Sequence, residues 1–236
     1  MKPTRIFAKV VTCSGFLLLS GCAEGPFPKL AELNPYYRRQ WQEDEQYAQT
    51  FHSKRLEIRE LAAKAESASA DEKSRIADMF CERLQVESNS VLRQELIRGL
   101  GKCGGPTAYE TLSIQIGDLD EGVRMAACQA FGDLKSDDAA NALANVIVHD
   151  KNLDVRLTAA QMLANFTNNA IAIRALAPAL DDSNPAMQFR AVKSLQSITG
   201  RDLGNNVVAW RDYVNSGGVT GQRQEPSLVQ RLKNWF

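Results

Sequence analysis

The chain has 236 residues, of which 44% are hydrophobic and 24% charged, which is typical of folded soluble domains, so disorder is not the expected state. Lysine plus arginine and aspartate plus glutamate number 28 each. Because the formal net charge is zero, charge indicates neither a nucleic acid nor an anionic lipid surface as the partner.

The N-terminus has the pattern of a targeting segment. A positive start at Lys2, Arg5 and Lys9 is followed by an apolar stretch from Val10 to Leu19, a pattern typical of export signals rather than of the fold. An uncleaved anchor needs roughly 20 apolar residues to cross a bilayer, and this stretch is shorter. We therefore predict a cleaved lipoprotein signal, with a plain signal peptide or a signal anchor as the alternatives.

The apolar stretch ends in Leu19-Ser20-Gly21-Cys22, which resembles the lipobox of bacterial lipoproteins. The resemblance implies that residues 1–21 are removed and that Cys22 carries lipid, leaving 25 basic and 28 acidic side chains. Several acyl chains hold a protein firmly on a membrane, whereas one alone is marginal. In similar lipoproteins of two-membrane bacteria, Ala23 in place of Asp after the cysteine implies the outer membrane of the cell envelope, facing the periplasm.

A tether and a polar helix are expected to follow. Residues 22–35 are rich in proline, which disfavours a helix and predicts a flexible tether. From Tyr36 to about Ala65 the chain is polar and charged, so we predict one long, mostly exposed helix, with 36–68 as an N-terminal cap. The run Ser69-Ala70-Asp71-Glu72 then fits a capping box and predicts the start of the next helix.

Beyond this point the chain repeats every 31 or 32 residues, with Arg93, Arg124, Arg156 and Gln188 as the reference positions. Apolar residues recur one position before each reference residue and three, seven and ten positions after it. At about 100° per residue these offsets lie on one side of a helix, which we predict to be the core face.

Alanine recurs sixteen positions upstream of each reference residue, so a second, closely packed helix is expected there. The repeating unit is therefore a helical hairpin, which occurs four times over 69–199. Helix N-cap residues stand four positions before the reference residues, at Asn89, Asp120, Asn152 and Asn184.

The segment from Asp120 to Ala127, with its echo from Asp154 to Ala160, is similar to the second helix of HEAT repeats. The resemblance covers roughly residues 72–199. It implies an all-α fold, an α-solenoid with a right-handed superhelix of about four HEAT-type hairpins, between the N-terminal long helix and a short C-terminal cap.

HEAT arrays, as a family, carry a polar ladder in which an Asp near the turn and an Arg of the second helix link neighbouring units. The resemblance implies a structural rather than a ligand-binding role for these positions, since a buried guanidinium must be paired. Asp150 is an alternative partner to Asp154, and Gln188 departs from the pattern, so we expect the ladder to end before the last unit. The matching residues are Arg93, Asp120, Arg124, Asp154 and Arg156.

Residues 200–236 are expected to form the C-terminal cap. The run from Thr199 to Gly204 predicts a closing turn, and Val208, Trp210 and Tyr213 predict a helix after it. The amphipathic piece from Pro226 to Phe236 is expected to pack on the last repeat.

Few residues could carry catalysis. His52 and His149 lack a second ligand at metal spacing and are expected to be solvated. Cys81, Cys103 and Cys128 remain once the signal and the lipidated cysteine are set aside; an exported protein could form a disulfide, but small buried hydrophobic residues are the favoured interpretation. We therefore predict no enzyme, no cofactor and no metal site.

A surface is the better functional candidate. Residues one and five positions after each reference residue project away from the core, and in HEAT arrays this side of the second helix is concave. An apolar strip of Met125, Leu157 and Phe189 beside polar side chains is typical of a protein or peptide site, unless C-terminal segments cover it. The predicted binding groove consists of Gln94, Arg98, Met125, Gln129, Leu157, Gln161, Phe189 and Lys193.

These features predict a membrane-tethered HEAT-repeat binding or scaffold lipoprotein of the cell envelope, which holds a protein or peptide and no nucleic acid. The alternative is an enzyme accessory or a lyase-type protein, because some bacterial proteins with HEAT-like repeats are lyases that attach bilin chromophores. Export as a lipoprotein argues against the alternative.

Overall fold

The structure, a computed structural model, describes residues 35–217 except for the side chains of Tyr37 and Arg38. The predicted signal at 1–21, the lipidation site Cys22, the tether before Pro35 and the piece from Pro226 to Phe236 lie outside the described residues. Every regular element within 35–217 is helical, which confirms the predicted all-α class. Within this range, no helix combines the length and the hydropathy that spanning a bilayer requires.

The prediction of one long N-terminal helix is wrong. The chain forms α1 (Pro35–Asp44) and α2 (Phe51–Ser67) with a break between them. The break arises because Thr50 caps the second helix: its Oγ1 accepts the backbone N–H of Ser53 at 3.2 Å, as an N-cap residue does. The chain divides into two compact units between Leu56 and Glu57, so the boundary lies inside α2.

Four helical hairpins follow along the chain. Each has a first and a second helix, and the second helices of consecutive hairpins pack side by side, as in an α-solenoid. Only the last hairpin has a divided first helix, since Pro178 lacks an amide hydrogen and stands just after the division. The first hairpin is α3 (Ala70–Val86) with α4 (Ser90–Cys103), and the second is α5 (Gly105–Gln115) with α6 (Glu121–Leu134). The third is α7 (Asp137–His149) with α8 (Leu153–Met162), which a 3₁₀ turn at Leu163–Asn165 extends. In the fourth, α9 (Ala170–Ala175) and α10 (Ala177–Leu180) form the divided first helix and α11 (Pro185–Thr199) is the second.

The predicted N-cap residues start the second helices. Asp120 Oδ1 accepts the N–H of Val123 at 2.9 Å, and Asn184 Oδ1 accepts the N–H of Ala186 at 2.9 Å. Asn89 and Asn152 cap α4 and α8 in the same way. These local bonds satisfy first-turn amides that have no partner within the helix, and they fix where each second helix begins.

The predicted core columns are buried between the two layers of helices. Leu92, Val123, Val155 and Met187, which precede the reference residues, are buried. Small residues let the second helices approach closely: a Cβ added at Gly101 would lie 2.8 Å from the Cα of Ala130 in the next hairpin. The hairpins therefore share one continuous core, in which each unit covers its neighbour.

A short helix follows the last hairpin. Gly200 ends α11 in the left-handed conformation, and α12 (Val207–Asn215) packs on α10 and α11. Trp210 is fully buried, and its Nε1–H donates to the carbonyl oxygen of Gly204 at 2.9 Å. The indole thereby ties the closing turn to the helix.

Candidate functional site

A polar ladder runs along the turns of the hairpins. Arg124 Nε donates to Asp150 Oδ2 at 2.8 Å, and its Nη2 donates to Asp150 Oδ1 at 3.2 Å. Arg93 pairs with Asp118, and Arg156 Nη2 lies 3.6 Å from Asp182 Oδ2. The hydrogen bond with Asp150 raises the pKa of Arg124. Each arginine therefore binds a carboxylate in the turn of the following hairpin.

Asp120 and Asp154 are wrong as acidic members of the ladder, whereas the alternative Asp150 is confirmed as the partner of Arg124. Asp120 is the N-cap of α6 and accepts a hydrogen bond from its own first turn, while Asp154 is an exposed first-turn residue of α8. The true partners stand two residues before each N-cap, at Asp118, Asp150 and Asp182. Each of these carboxylates also accepts the backbone N–H of the N-cap residue at 2.8 Å, which orients it toward the preceding arginine.

The ladder also extends further than predicted. Arg124 Nη1 donates to the carbonyl oxygen of Asp118 at 2.9 Å, and Arg156 Nη1 donates to that of Asp150 at 3.1 Å. Gln188 Nε2 makes the equivalent bond to the carbonyl oxygen of Asp182 at 2.9 Å. An amide can replace the guanidinium here because, within residues 35–217, the last hairpin is followed by the single helix Val207–Asn215 and not by another hairpin with a turn carboxylate. These contacts give the ladder a structural role.

We call the side of α4, α6, α8 and α11 that carries the eight predicted groove residues the second-helix face. Two of its polar members are linked between neighbouring hairpins: Arg98 Nε donates to Gln129 Oε1 at 3.0 Å. In the last hairpin, the Nζ of Lys193 lies 5.4 Å from the ring centroid of Phe189, a cation–π distance. Neighbouring groove residues thus meet on one side of the array.

The apolar strip on this face is less open than predicted. Met125 and Leu157 are half-buried and pack against the core, whereas Phe189 is 50% exposed. Gln94 is also half-buried, since it lies against Gly122 of the next hairpin. Exposure rises along the array: Gln161 on α8 and both Phe189 and Lys193 on α11 are exposed. The open part of the face is therefore its C-terminal end.

Other exposed apolar side chains lie near the hairpin turns. Val86, Ile114, Leu119 and Val148 are all more than half exposed. They could not be predicted from the sequence because they fall outside the repeated columns, so the helical period assigns them no common direction.

Burial makes two of the three cysteines poor nucleophiles. Burial raises the pKa of the Cys103 thiol to about 11 and that of the Cys128 thiol to about 12. Cys81 is half-buried, with its Sγ 3.1 Å from the hydroxyl oxygen of Thr111. All three are free thiols, and because the thiolate is the reactive form, Cys103 and Cys128 are suited to packing rather than to chemistry.

Thiol alkylation checks this assignment. With iodoacetamide at pH 8, we expect Cys81 to be modified first and Cys128 to resist, because a thiol with a pKa near 12 is only about one part in ten thousand thiolate at that pH. Peptide mass mapping after timed quenching measures each site. Unfolding in guanidinium should abolish the difference, and equal native rates at Cys81 and Cys128 would contradict the assignment.

The two histidines lie in separate units and have different surroundings. The ring of His52 stacks on Trp41, with centroids 4.3 Å apart. His149 is exposed at the end of α7 and lines a surface depression beside Arg124 and Asp150. Within residues 35–217, no group of three or more histidine, cysteine, aspartate or glutamate side chains is placed to hold a metal ion.

The repeats match a known family of proteins. The family model for HEAT repeats matches residues 77–164 and 141–209, which extend from within α3 to the start of α12. No curated protein matches the chain. The matched ranges together span more than half of the sequence, and they coincide with the hairpins that carry the polar ladder. The chain belongs to the HEAT-repeat family.

Proposed function

We propose that this protein is a lipid-tethered binding module of the cell envelope that holds a protein or a peptide on its second-helix face. HEAT arrays are chiefly binding surfaces for other macromolecules, and the observation that supports this face is the exposed ring of Phe189, with the Nζ of Lys193 5.4 Å from its centroid. An aromatic side chain with a polar rim is typical of a protein interface.

The tether is the second part of the proposal. Lipid on Cys22 would hold the module at a membrane, and the proline-rich residues 22–35 would allow the repeats to reach a partner. The lipobox resemblance of Leu19-Ser20-Gly21-Cys22 supports it. The proposal contains no catalytic step, because the buried thiols have raised pKa values and the ladder arginines are engaged in structural bonds.

Site-specific photocrosslinking in the intact envelope tests the binding face. We expect a benzophenone amino acid at Gln161, which is exposed on α8, to form adducts with a protein partner. The matched control is Asn141, exposed on the first helix α7 of the same hairpin, where we expect none. Adducts that form equally at both positions, or only at Asn141, would remove the second-helix face from consideration.

Lipidation is tested separately. We expect labelled palmitate to be incorporated into the wild-type chain and not into a Cys22→Ser variant, which should leave the membrane fraction because it lacks the acyl chains. Detection of label in the variant, or retention of the variant in washed membranes, would contradict the tether.

A further inference from the structure

In the first hairpin, charged side chains of the second helix form ion pairs with side chains of opposite charge. Lys102 Nζ on α4 lies 3.2 Å from Asp133 and 3.4 Å from Glu66, and its hydrogen bond to Asp133 is the main cause that raises its pKa. On the same helix, Glu95 lies 2.9 Å from Arg59. This end of the face therefore presents little surplus charge to a ligand.

The last hairpin differs, because Arg190 and Lys193 have no carboxylate partner among the described residues. Phe189, Arg190 and Lys193 occupy one side of α11 by their helical spacing. Within residues 35–217, neither cation forms an ion pair. Lys193 donates to Gln196 Oε1 at 3.2 Å, and the Nε of Arg190 is buried with no hydrogen-bond partner in that range. Arg190 as a whole is half-buried, so it carries a positive charge without an ion pair at a partly accessible position.

A third cation extends this region of positive charge. Lys193 and Arg201 line a surface depression of about 460 Å³ together with Asp202. Asp202 Oδ1 already accepts the backbone N–H of Gly204 at 2.9 Å, and the guanidinium of Arg201 lies 5.0 Å from the ring of Tyr213. Lys193 and Arg201 face one carboxylate in this depression, and Arg190 adds a third positive charge on α11, so the charge favours an anionic ligand.

We infer that the last hairpin binds an acidic peptide segment, whose carboxylates pair with Arg190 and Lys193 while an apolar side chain packs on Phe189. The inference rests on the proposed function and specifies the chemistry of its partner. A guanidinium and an ammonium group both bind carboxylates, and the exposed ring supplies the apolar contact that charge alone lacks.

Charge argues against the chain's own C-terminal residues as the occupant. Residues 218–236 contain Arg223, Arg231 and Lys233 against the single acidic residue Glu225. A basic segment would be repelled by the unmatched cations of α11, whereas an acidic segment would be attracted. The occupant is therefore assigned to a separate acidic chain.

Peptide binding to the full-length chain in non-ionic detergent tests the inference. The probes are three fluorescein-labelled peptides, each with one phenylalanine, in which the other residues are all glutamate, all glutamine or all lysine. Fluorescence anisotropy measures the binding of each peptide. We expect the wild type to bind the glutamate peptide about tenfold more tightly than the glutamine peptide, because two charge pairs form at a partly desolvated site. Arg190→Gln with Lys193→Gln should abolish that preference, and Arg190→Glu with Lys193→Glu should transfer it to the lysine peptide.

The matched control is Arg174→Gln, an exposed arginine on the first helix of the same hairpin, which should leave binding unchanged. Phe189→Ala should weaken binding of all three peptides, and circular dichroism checks that each variant folds. The inference is overturned if the wild type shows no preference for glutamate or if the double glutamine variant keeps it. It is also overturned if the cations capture phosphatidylglycerol vesicles and no peptide.

The two experiments fail independently. Crosslinking at Gln161 reports any partner on the second-helix face, whatever its charge, whereas the peptide assay reports only the pairing at Arg190 and Lys193. Adducts at Gln161 together with an absent glutamate preference would overturn the acidic partner and leave the proposed function standing. Loss of adducts at Gln161 would overturn the proposed function itself.

Discussion

Replacing Arg124 by alanine is expected to lower the free energy of unfolding by about 3 to 5 kcal/mol, because it strands a buried carboxylate. The side chain of Asp150 is only 8% exposed and that of Arg124 16%, so water cannot fully replace the lost partner. The carbonyl oxygens of Asp118 and Leu119 lose their donor as well. Urea unfolding followed by circular dichroism measures the loss.

A double variant separates the stranded charge from the lost packing. Arg124→Met with Asp150→Asn removes both charges, while the asparagine oxygen can still accept the N–H of Asn152. We expect it to recover more than half of the stability lost in Arg124→Ala, because an uncharged pair is far cheaper to bury than a single charge. A loss below about 1 kcal/mol in the single variant would show that the ladder contributes little to stability.

The fold could be predicted from the sequence because its determinants are local and repeated. Asn89, Asp120, Asn152 and Asn184 start helices through bonds within two or three residues, and the apolar columns follow from the helical period. The N-terminal break at Thr50 was equally local, but it stands alone in a polar run, where no repeated column marks it as a cap.

The ladder was predictable on its arginine side, whereas on its acidic side Asp150 was only one of two alternatives. Periodicity identifies Arg93, Arg124 and Arg156, but the acidic partner depends on which turn residue faces the preceding hairpin. Asp118, Asp150 and Asp182 do so because each turns back to accept an N–H from its own N-cap residue. The sequence shows an Asp two residues before three of the N-caps, but it does not show that the side chain of this Asp points toward the preceding hairpin.

The candidate site was predicted in position but not in exposure. Helical spacing gives the direction of Met125, Leu157 and Phe189, yet the exposure of each depends on how neighbouring helices cover it. Interior hairpins have a neighbour on both sides, so Met125 and Leu157 are half-buried. Phe189 lies in the last hairpin and stays half exposed. The unmatched charge of Arg190 likewise depends on three-dimensional neighbours that the helical period cannot supply.

Substitution of Gly101 should reverse the ordinary rule for helices. Replacing glycine by alanine inside a helix normally stabilises it by about 1 kcal/mol. At Gly101, a Cβ would lie 2.8 Å from the Cα and 2.9 Å from the Cβ of Ala130 on α6, and backbone cannot move aside as a flexible side chain can. We expect Gly101→Ala to destabilise the protein by about 2 kcal/mol and Gly101→Val by about 3 kcal/mol, the costs of overpacking.

Two further variants decide whether the close approach of the helices is the cause. Gly117→Ala places a Cβ 3.6 Å from its nearest neighbour, the carbonyl oxygen of Ile114, and should change stability by less than about 0.5 kcal/mol. Adding Ala130→Gly to Gly101→Ala removes the methyl group of Ala130 but leaves its backbone in the way of the new side chain, so part of the loss should return, with a coupling energy of about 1 kcal/mol. Strict additivity in thermal and urea unfolding would mean that α4 and α6 do not meet at this point, and the side-by-side packing that creates the second-helix face would have to be redrawn.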